Sequence, residues 1–392
     1  MIGEHQYPYL LWQWLPGCGP KRWQALAAHF PRWPEPLLSP DALLLSKLPA
    51  QAVTALGSRD KPWQAAQDQL NEWLAKDPQH HLITFADPDY PALLRQISDA
   101  PPVLYVRGRR DALTLPQIAL VGSRHASHQG NTTARAFARD LASQGMAITS
   151  GLALGIDAAA HQGALDAKGI TLGIMGTGVD RLYPASHLRL AQEILEAGGA
   201  LVSEFPLGTQ PQRAFFPRRN RLISGLSVGV IVVEAALKSG SLSTARHAMS
   251  QNRAVFAIPG SIHNPLSRGC HAIIREGATL LDSTEQIADE VVSLLAYHYQ
   301  QQPWMSQTPS SALNLSKEVS QSLPQKPDNS LMPESQENHP LWGYLDDVPR
   351  SVDELESMAQ LPIEAILGQL LAWELEGKVA LEAGGYVKVF RL

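Results

Sequence analysis

The chain has 392 residues, 44% of them hydrophobic and 18% charged, with a formal net charge of −5. That balance reads as soluble and globular, and no apolar run approaches the roughly 18 residues of a membrane span. The length suits two or three domains of roughly 100–200 residues each.

Two cysteines, Cys18 and Cys270, make no disulfide framework, and with no signal peptide the expected compartment is the reducing cytosol. The charge is uneven. Residues 341–392 hold four basic and nine acidic side chains and residues 301–340 hold two and four, so residues 1–300 carry a net +2. Local basic patches on a near-neutral body matter more for anion binding than the total does.

Residues 1–85 read as a helical domain with a helix–hairpin–helix-like or SAM-like character. In "LPGCGPKRWQALAAHF" (15–30), Gly17 and Gly19 allow a tight turn and Pro20 suits a first helical position. Such a turn is either a phosphate seat at a helix N-terminus or a plain connection between packed helices. The Pro-rich stretch 86–116 reads as a connector with a short strand at 103–106.

From residue 117 apolar runs alternate with helical stretches. The runs are "IALVG" (118–122), "MAITSG" (146–151), "TLGIMG" (171–176), "ALVSEF" (200–205), "VGVIVVEA" (228–235) and "AVFAIPG" (254–260). This order implies βαβ units and a parallel sheet covered on both faces. A domain over 86–300 then builds its site outside the carboxyl ends of the strands.

Four turns carry the candidate chemistry. In "VGSRHASHQG" (121–130), Gly122 and Ser123 end a strand and Arg124 opens a helix, an anion-binding arrangement. In "SGLALGIDAAAHQGAL" (150–165), Ser150 and Gly151 end the next strand and a helix opens near Gly155. Asp157 and His161, four apart, share a helix face. They read as a hydrogen-bonded pair bracing the site rather than an acid–base pair.

In "GIMGTGVDRLYP" (173–184), Gly176 and Gly178 let a backbone or ligand approach closely, but the spacing is not that of a dinucleotide fingerprint. In "KSGSLSTARHAM" (238–249), Gly240 permits a turn, and Ser241, Ser243 and Thr244 can cap a helix or bond a phosphate. No lysine follows it in Walker A spacing, so nucleotide triphosphate hydrolysis is not expected. "GLSVG" (225–229) matches G-x-S-x-G, but a helical stretch precedes it and a strand follows, the reverse of a nucleophile turn. The histidines show no metal-ligand spacing, and Cys270–His271 with His263 reads as scattered polar residues. No catalytic residue, metal or cofactor is expected.

"RAFFPRRNRLISG" (213–225) places Arg213, Arg218, Arg219 and Arg221 around Phe215 and Phe216 with no acid. Cations interleaved with aromatics suit a single strand, whose unpaired bases stack for roughly 1–3 kcal/mol each. The alternative is that Arg219 and Arg221 reach inward and tie strands, or Glu204 and Glu234, together. A split is expected, with Arg213 the first phosphate contact and Arg221 the most inward.

Residues 301–340, rich in Gln, Ser and Pro, read as a flexible linker. Residues 341–392 read as a small acidic domain of helices followed by a hairpin at Gly384–Gly385, a winged-helix pattern. Its net charge argues against a duplex reader, and a protein-interaction or regulatory role is expected.

The ordered set "GSR", "SGLALGIDAAAH", "GTGVDRLYP", "SEFPLG", "FPRRNRLISGLS", "VVEAALKSGSLSTA", "AVFAIPG" and "REGA" resembles the DNA-processing protein A (DprA/Smf) family, densely over 87–285. The resemblance implies an extended Rossmann-like, doubly wound α/β domain with a helical N-terminal domain and a winged-helix-like C-terminal domain. It implies a cytosolic, non-enzymatic protein that binds and protects single-stranded DNA in natural transformation, loads the RecA recombinase, and dimerises through the Rossmann domain. Its DNA pocket would fall on Gly122, Ser123, Arg124, Gly151, Gly176, Gly178, Arg213, Phe216, Arg218, Arg219, Asn220, Lys238, Ser239, Gly240 and Ser241. His187 and His271 depart from the Asn usual in the family. The competing class is a Rossmann nucleotide hydrolase of the lysine-decarboxylase-like (phosphoribohydrolase) group. Its catalytic Glu would fall where this chain has Ala or Arg.

Overall fold

Pro8 and Pro20 sit in the first turns of α1 (Tyr7–Trp14) and α2 (Pro20–Ala27), where a missing N–H removes no helical hydrogen bond. Asp41 caps α3 (Ala42–Lys47), its carboxylate accepting from the Leu44 N–H at 2.7 Å. With α4 (Ala50–Gly57) and α5 (Lys61–Lys76) these helices enclose Leu11, Trp12, Trp23, Leu37 and Leu44. The Trp12, Trp23 and Trp33 rings meet edge-on or tilted, with centroids 5.3–5.7 Å apart. The computed structural model describes residues 2–30, 32–57, 61–301, 340–345, 350–359, 361–375, 378–382 and 385–388.

The chain divides into two compact units, Met1–Ser322 and Leu323–Leu392. In the first, β1 (His80–Thr84), β2 (Val103–Gly108), β3 (Gln117–Val121), β4 (Ala147–Ser150), β5 (Thr171–Ile174), β6 (Ala200–Ser203), β7 (Gly229–Val232), β8 (Ala254–Ala257) and β9 (Thr279–Leu280) form one sheet. Its order is β1-β2-β6-β5-β4-β3-β7-β8-β9. The strands from β6 to β9 pair in parallel, while β1–β2 and β2–β6 are antiparallel.

Helices α6 (Ala92–Arg95), α7 (His128–Ser143), α8 (Ile156–Asp166), α9 (Leu188–Glu196), α10 (Phe215–Leu226), α11 (Ser241–Ser250), α12 (Arg268–Arg275) and α13 (Gln286–Gln300) cover it. Alternation along β3 assigns its residues to two cores. Ile118 and Leu120 pack with α7, α8 and α13, whereas Ala119 and Val121 pack with α10 and α11. This is the doubly wound arrangement expected for the central runs.

Two strands depart from the expectation. His80–Thr84 lies in the stretch read as helical, and pairs with β2 from His80↔Arg107 to Thr84↔Val103. Thr279–Leu280 adds a short edge strand beside β8. Neither carries a strong local strand pattern, and each exists because a longer neighbour offers a ladder.

The second unit has helices at Val352–Ala359 and Ile363–Leu375 and an antiparallel pair, Val379–Glu382 with Gly385–Lys388. Leu341, Leu355, Ile366, Leu370, Trp373 and Val379 form its core. The expected linker lies outside the described residues except at its ends, and so does Gly384 of the expected turn.

Candidate functional site

The strand order reverses between β3 and β7, and the turns after β3, β4, β5 and β7 meet there. An open parallel sheet places its ligand site outside the carboxyl ends at such a point. A cavity of about 480 Å³ lies among Gly122, Arg124, Asp157, Tyr183, Arg213, Phe216, Arg219, Asn220 and Ser239–Ser241.

The turn after β3 is fixed by backbone bonds. Ser123 donates its N–H to the Glu234 carbonyl at 2.7 Å, and Ser241 donates its hydroxyl to the Gly122 carbonyl at 2.6 Å. A side chain at Gly122 would collide with Ile156. Arg124 is thereby presented to solvent with its guanidinium 5.2 Å from the centre of the Phe216 ring. Among the described residues the Glu234 carboxylate pairs with no arginine, so that part of the alternative reading is not realised. It accepts from the Ser127 N–H and hydroxyl at 2.9 and 2.6 Å, where Ser127 caps α7.

After β4 the chain turns through Gly155, whose φ of 75° disfavours a side chain, into α8. Asp157 and His161 do not form the expected pair. Asp157 accepts from the Gly151 and Ala153 N–H groups at 3.1 and 3.3 Å, holding the turn. Burial raises its pKa, with Arg219 acting in the opposite sense. Thr171 donates to the Ile148 carbonyl, which leaves its oxygen to accept from Nδ1–H of the fully buried His161 at 2.7 Å. Burial lowers the His161 pKa to about 3, so the ring is neutral. The two residues brace separate strands.

Helix α10 carries the basic stretch and sorts its side chains by direction. Phe216 is half-buried against Gly176, beside Tyr183 at a ring separation of 5.7 Å. Arg213 is exposed at the cavity. Asn220 donates to Ser243 Oγ at 3.1 Å and to the Gly240 carbonyl at 3.3 Å, tying α10 to the turn after β7.

Arg219 faces inward, 4% exposed, and donates to the carbonyls of Gly151 and Ile174. Burial lowers its pKa to about 10, still charged at neutral pH. Arg221 is equally buried and lies between Glu204 and Asp99, as its inward expectation required. Arg218 points elsewhere, its guanidinium 5.2 and 5.8 Å from the Phe205 and Phe215 ring centres.

Of the sequence-derived residues, Gly122, Arg124, Arg213, Phe216, Arg219, Asn220, Ser239, Gly240 and Ser241 line the cavity. Gly151 joins Arg124, Phe216 and Arg219 around a small recess next to it. Ser123 and Gly176 support the walls. The structure does not bring Arg218, Gly178 or Lys238 to the lining, and Gly178 instead donates to the Thr209 carbonyl at 3.0 Å. Tyr183 and Pro217 line the cavity without having been singled out, and Thr244, named beside Ser241 in the sequence, lines it too. Tyr183 was legible only as the end of "GTGVDRLYP". The two unusual histidines both make backbone contacts: His187 Nδ1 lies 2.9 Å from the Leu152 carbonyl and His271 Nε2 lies 3.1 Å from that of Gly260.

The arrangement offers exposed cations, stacking rings and a serine-lined turn around an open cavity. Its carboxylates are occupied by backbone or serine donors. Among the described residues no group of three His, Cys, Asp or Glu side chains is placed to hold a metal, and no helix is long and apolar enough to cross a membrane.

Comparisons with known proteins agree with this layout. The family model for DNA recombination-mediator protein A matches residues 81–292, and a DprA winged helix domain matches 325–385. Protein Smf of Escherichia coli K12 is 42% identical over 319 residues, covering 81% of this chain and 80% of that protein. Protein Smf of Synechocystis is 32% identical and covers 98% of each. The X-ray structure of DNA processing protein A from Streptococcus pneumoniae superposes with a TM-score of 0.61 at 35% identity, covering 74% of this chain and 98% of that one.

Proposed function

Because the chain belongs to the DNA recombination-mediator protein A (DprA/Smf) family, we propose that its cavity seats single-stranded DNA and that the protein mediates recombination on that strand during natural transformation. The observation carrying the reading is the Phe216 ring, flanked by the Arg124 guanidinium and by Tyr183 at the mouth of the cavity. A base stacks on such a ring only when unpaired, and the exposed Arg124 and Arg213 meet its phosphates. The serine turn Ser239–Ser241 completes the wall, its hydroxyls already donating to Ser241 Oγ and to the Gly122 carbonyl.

The role is proposed as non-enzymatic, with RecA recombinase loaded on the bound strand. A nucleotide hydrolase of the competing class needs a free carboxylate. The positions at issue are Ala245, which is buried, and Arg246, which pairs with Glu276 at 3.0 Å. Dimerisation through the Rossmann-like domain is part of the same reading. The open β9 edge, where Leu280 is 47% exposed, supports it.

Fluorescence anisotropy with labelled oligo-dT and a matching duplex tests the first claim. Preference for the single strand, with affinity falling as salt rises, is expected. Equal affinity for both forms, or no salt dependence, would overturn it. Recombinase assembly on protein-coated single strands, with and without this chain, tests the second claim. Release of free base from nucleotides by the pure protein would restore the hydrolase.

A further inference from the structure

Helix α10 has a second functional side. On a helix, residues three or four apart share a face. Phe216 and Asn220 look into the cavity described above. Phe215 and Arg218 look into another, of about 840 Å³, whose opposite wall is the Gly17–Lys21 turn of the N-terminal helices. Pro217 lines both cavities and forms the crest between them.

The second cavity is built from the same chemistry as the first. Phe215 stacks on Phe205 with centroids 4.5 Å apart, and Arg218 lies over both rings. Lys21 and Arg218 are its exposed cations. The carboxylates of Glu204 and Asp99 also belong to this cavity, but both are engaged by the buried Arg221 guanidinium. The walls carry unused hydrogen-bonding capacity. Trp12 Nε1, Glu204 Oε1 and Arg221 Nη1 are buried without a partner among the described residues. Native proteins keep such groups rare.

We propose that a single strand leaving the first cavity crosses the crest at Pro217 and continues into the second, where Lys21 and Arg218 receive its phosphates beside the Phe205–Phe215 pair. The N-terminal helical region is then part of the nucleic-acid site. This rests on the single-strand reading of the first cavity and extends it by one more binding segment. The cationic–aromatic lining, and its continuity with the first cavity through one residue, favour the same strand over a separate ligand.

The test uses the full chain and labelled oligo-dT of about 4 and about 16 nucleotides. Lys21 and Arg218 are exposed, so Lys21→Glu and Arg218→Glu are expected to fold, as a thermal melt verifies. Each variant should weaken binding of the longer strand by roughly tenfold and lower its log–log salt slope by about 1, leaving the shorter strand unchanged. Trp12 lines the second cavity, so quenching of tryptophan emission should accompany the longer strand alone. Wild-type affinity of both variants for the longer strand would overturn the proposal. Equal weakening at both lengths would also overturn it, because the two cations would then belong to the first cavity. If the wild-type protein bound neither length, the single-strand reading itself would fall.

Discussion

Arg219 Nη1 donates to the carbonyl oxygen of Gly151 at 2.5 Å, so the centre of the most basic stretch in the chain is tied to the sheet at the edge of the cavity. The same nitrogen reaches the Ile174 carbonyl at the end of β5. One guanidinium thus fastens α10 to two strand ends and sets the position of Phe216, three residues earlier. A methyl group at Gly151 would fall within that guanidinium. Gly151→Ala is therefore expected to cost about 1–3 kcal/mol by overpacking. A lower denaturant midpoint with an unchanged slope would report it.

The stacking ring makes a sharper demand. Phe216→Ala removes a half-buried surface and should weaken single-strand affinity by about 1–3 kcal/mol while leaving the melting temperature close to wild type. Anisotropy titration and a thermal melt on the same preparation separate the two quantities. An unchanged affinity would remove Phe216 from the site.

Arg124 and Arg213 act through charge. Arg124→Gln and Arg213→Gln should each lower affinity for all sequences alike and reduce the log–log salt slope by about 1. Titrations at three or more salt concentrations measure this. Lys238, exposed and outside the cavity lining, should show a smaller change in slope when substituted by Gln.

Arg221 is a structural cation. It pairs with Glu204 and lies 3.3 Å from Asp99, with both its own side chain and that of Glu204 about 5% exposed. Arg221→Met leaves the Glu204 carboxylate buried without its partner and should cost about 3–5 kcal/mol. Adding Glu204→Gln to it should recover part of the loss, and a double-mutant cycle by chemical denaturation gives the coupling.

The neutral His161 predicts a pH dependence. Its folded pKa is near 3 against 6.5 for a free histidine, because burial opposes the charged ring. Between those values the unfolded chain binds a proton that the folded chain does not. Stability should therefore fall as pH drops from 6.5 toward 3, by at most about 1.4 kcal/mol per pH unit from this group. His161→Gln, which keeps a donor for Thr171, should flatten that portion of the stability profile. Denaturant unfolding of both proteins across the range measures the difference.

The central strands, the turns at their carboxyl ends and the family were all legible in the chain itself. Buried parallel strands are short apolar runs, and glycines mark where a turn must pass close to its neighbours, so both are local signals. The residues of "GSR" and "SGS" could be placed at the site for that reason. β1 was not legible, because "HHLIT" has no strand pattern of its own and is ordered by pairing with Val103–Arg107. The Asp157–His161 pairing failed for a related reason. Their spacing fixes a shared helix face, but Asp157 finds closer donors in the turn before its helix, and His161 finds Thr171 on β5.

The basic stretch draws the line most clearly. Its composition by itself determined that cations and aromatics would stand together near the strand ends. It could not determine which arginine served which purpose, since successive helical residues turn by about 100° and Arg218, Arg219 and Arg221 on α10 cannot share one direction. Only the tertiary structure assigned Arg219 to the strand carbonyls, Arg221 to Glu204 and Asp99, and Arg218 to the far side of the helix. The partners of Arg219 and Arg221 come from segments between 17 and 122 residues away in the sequence.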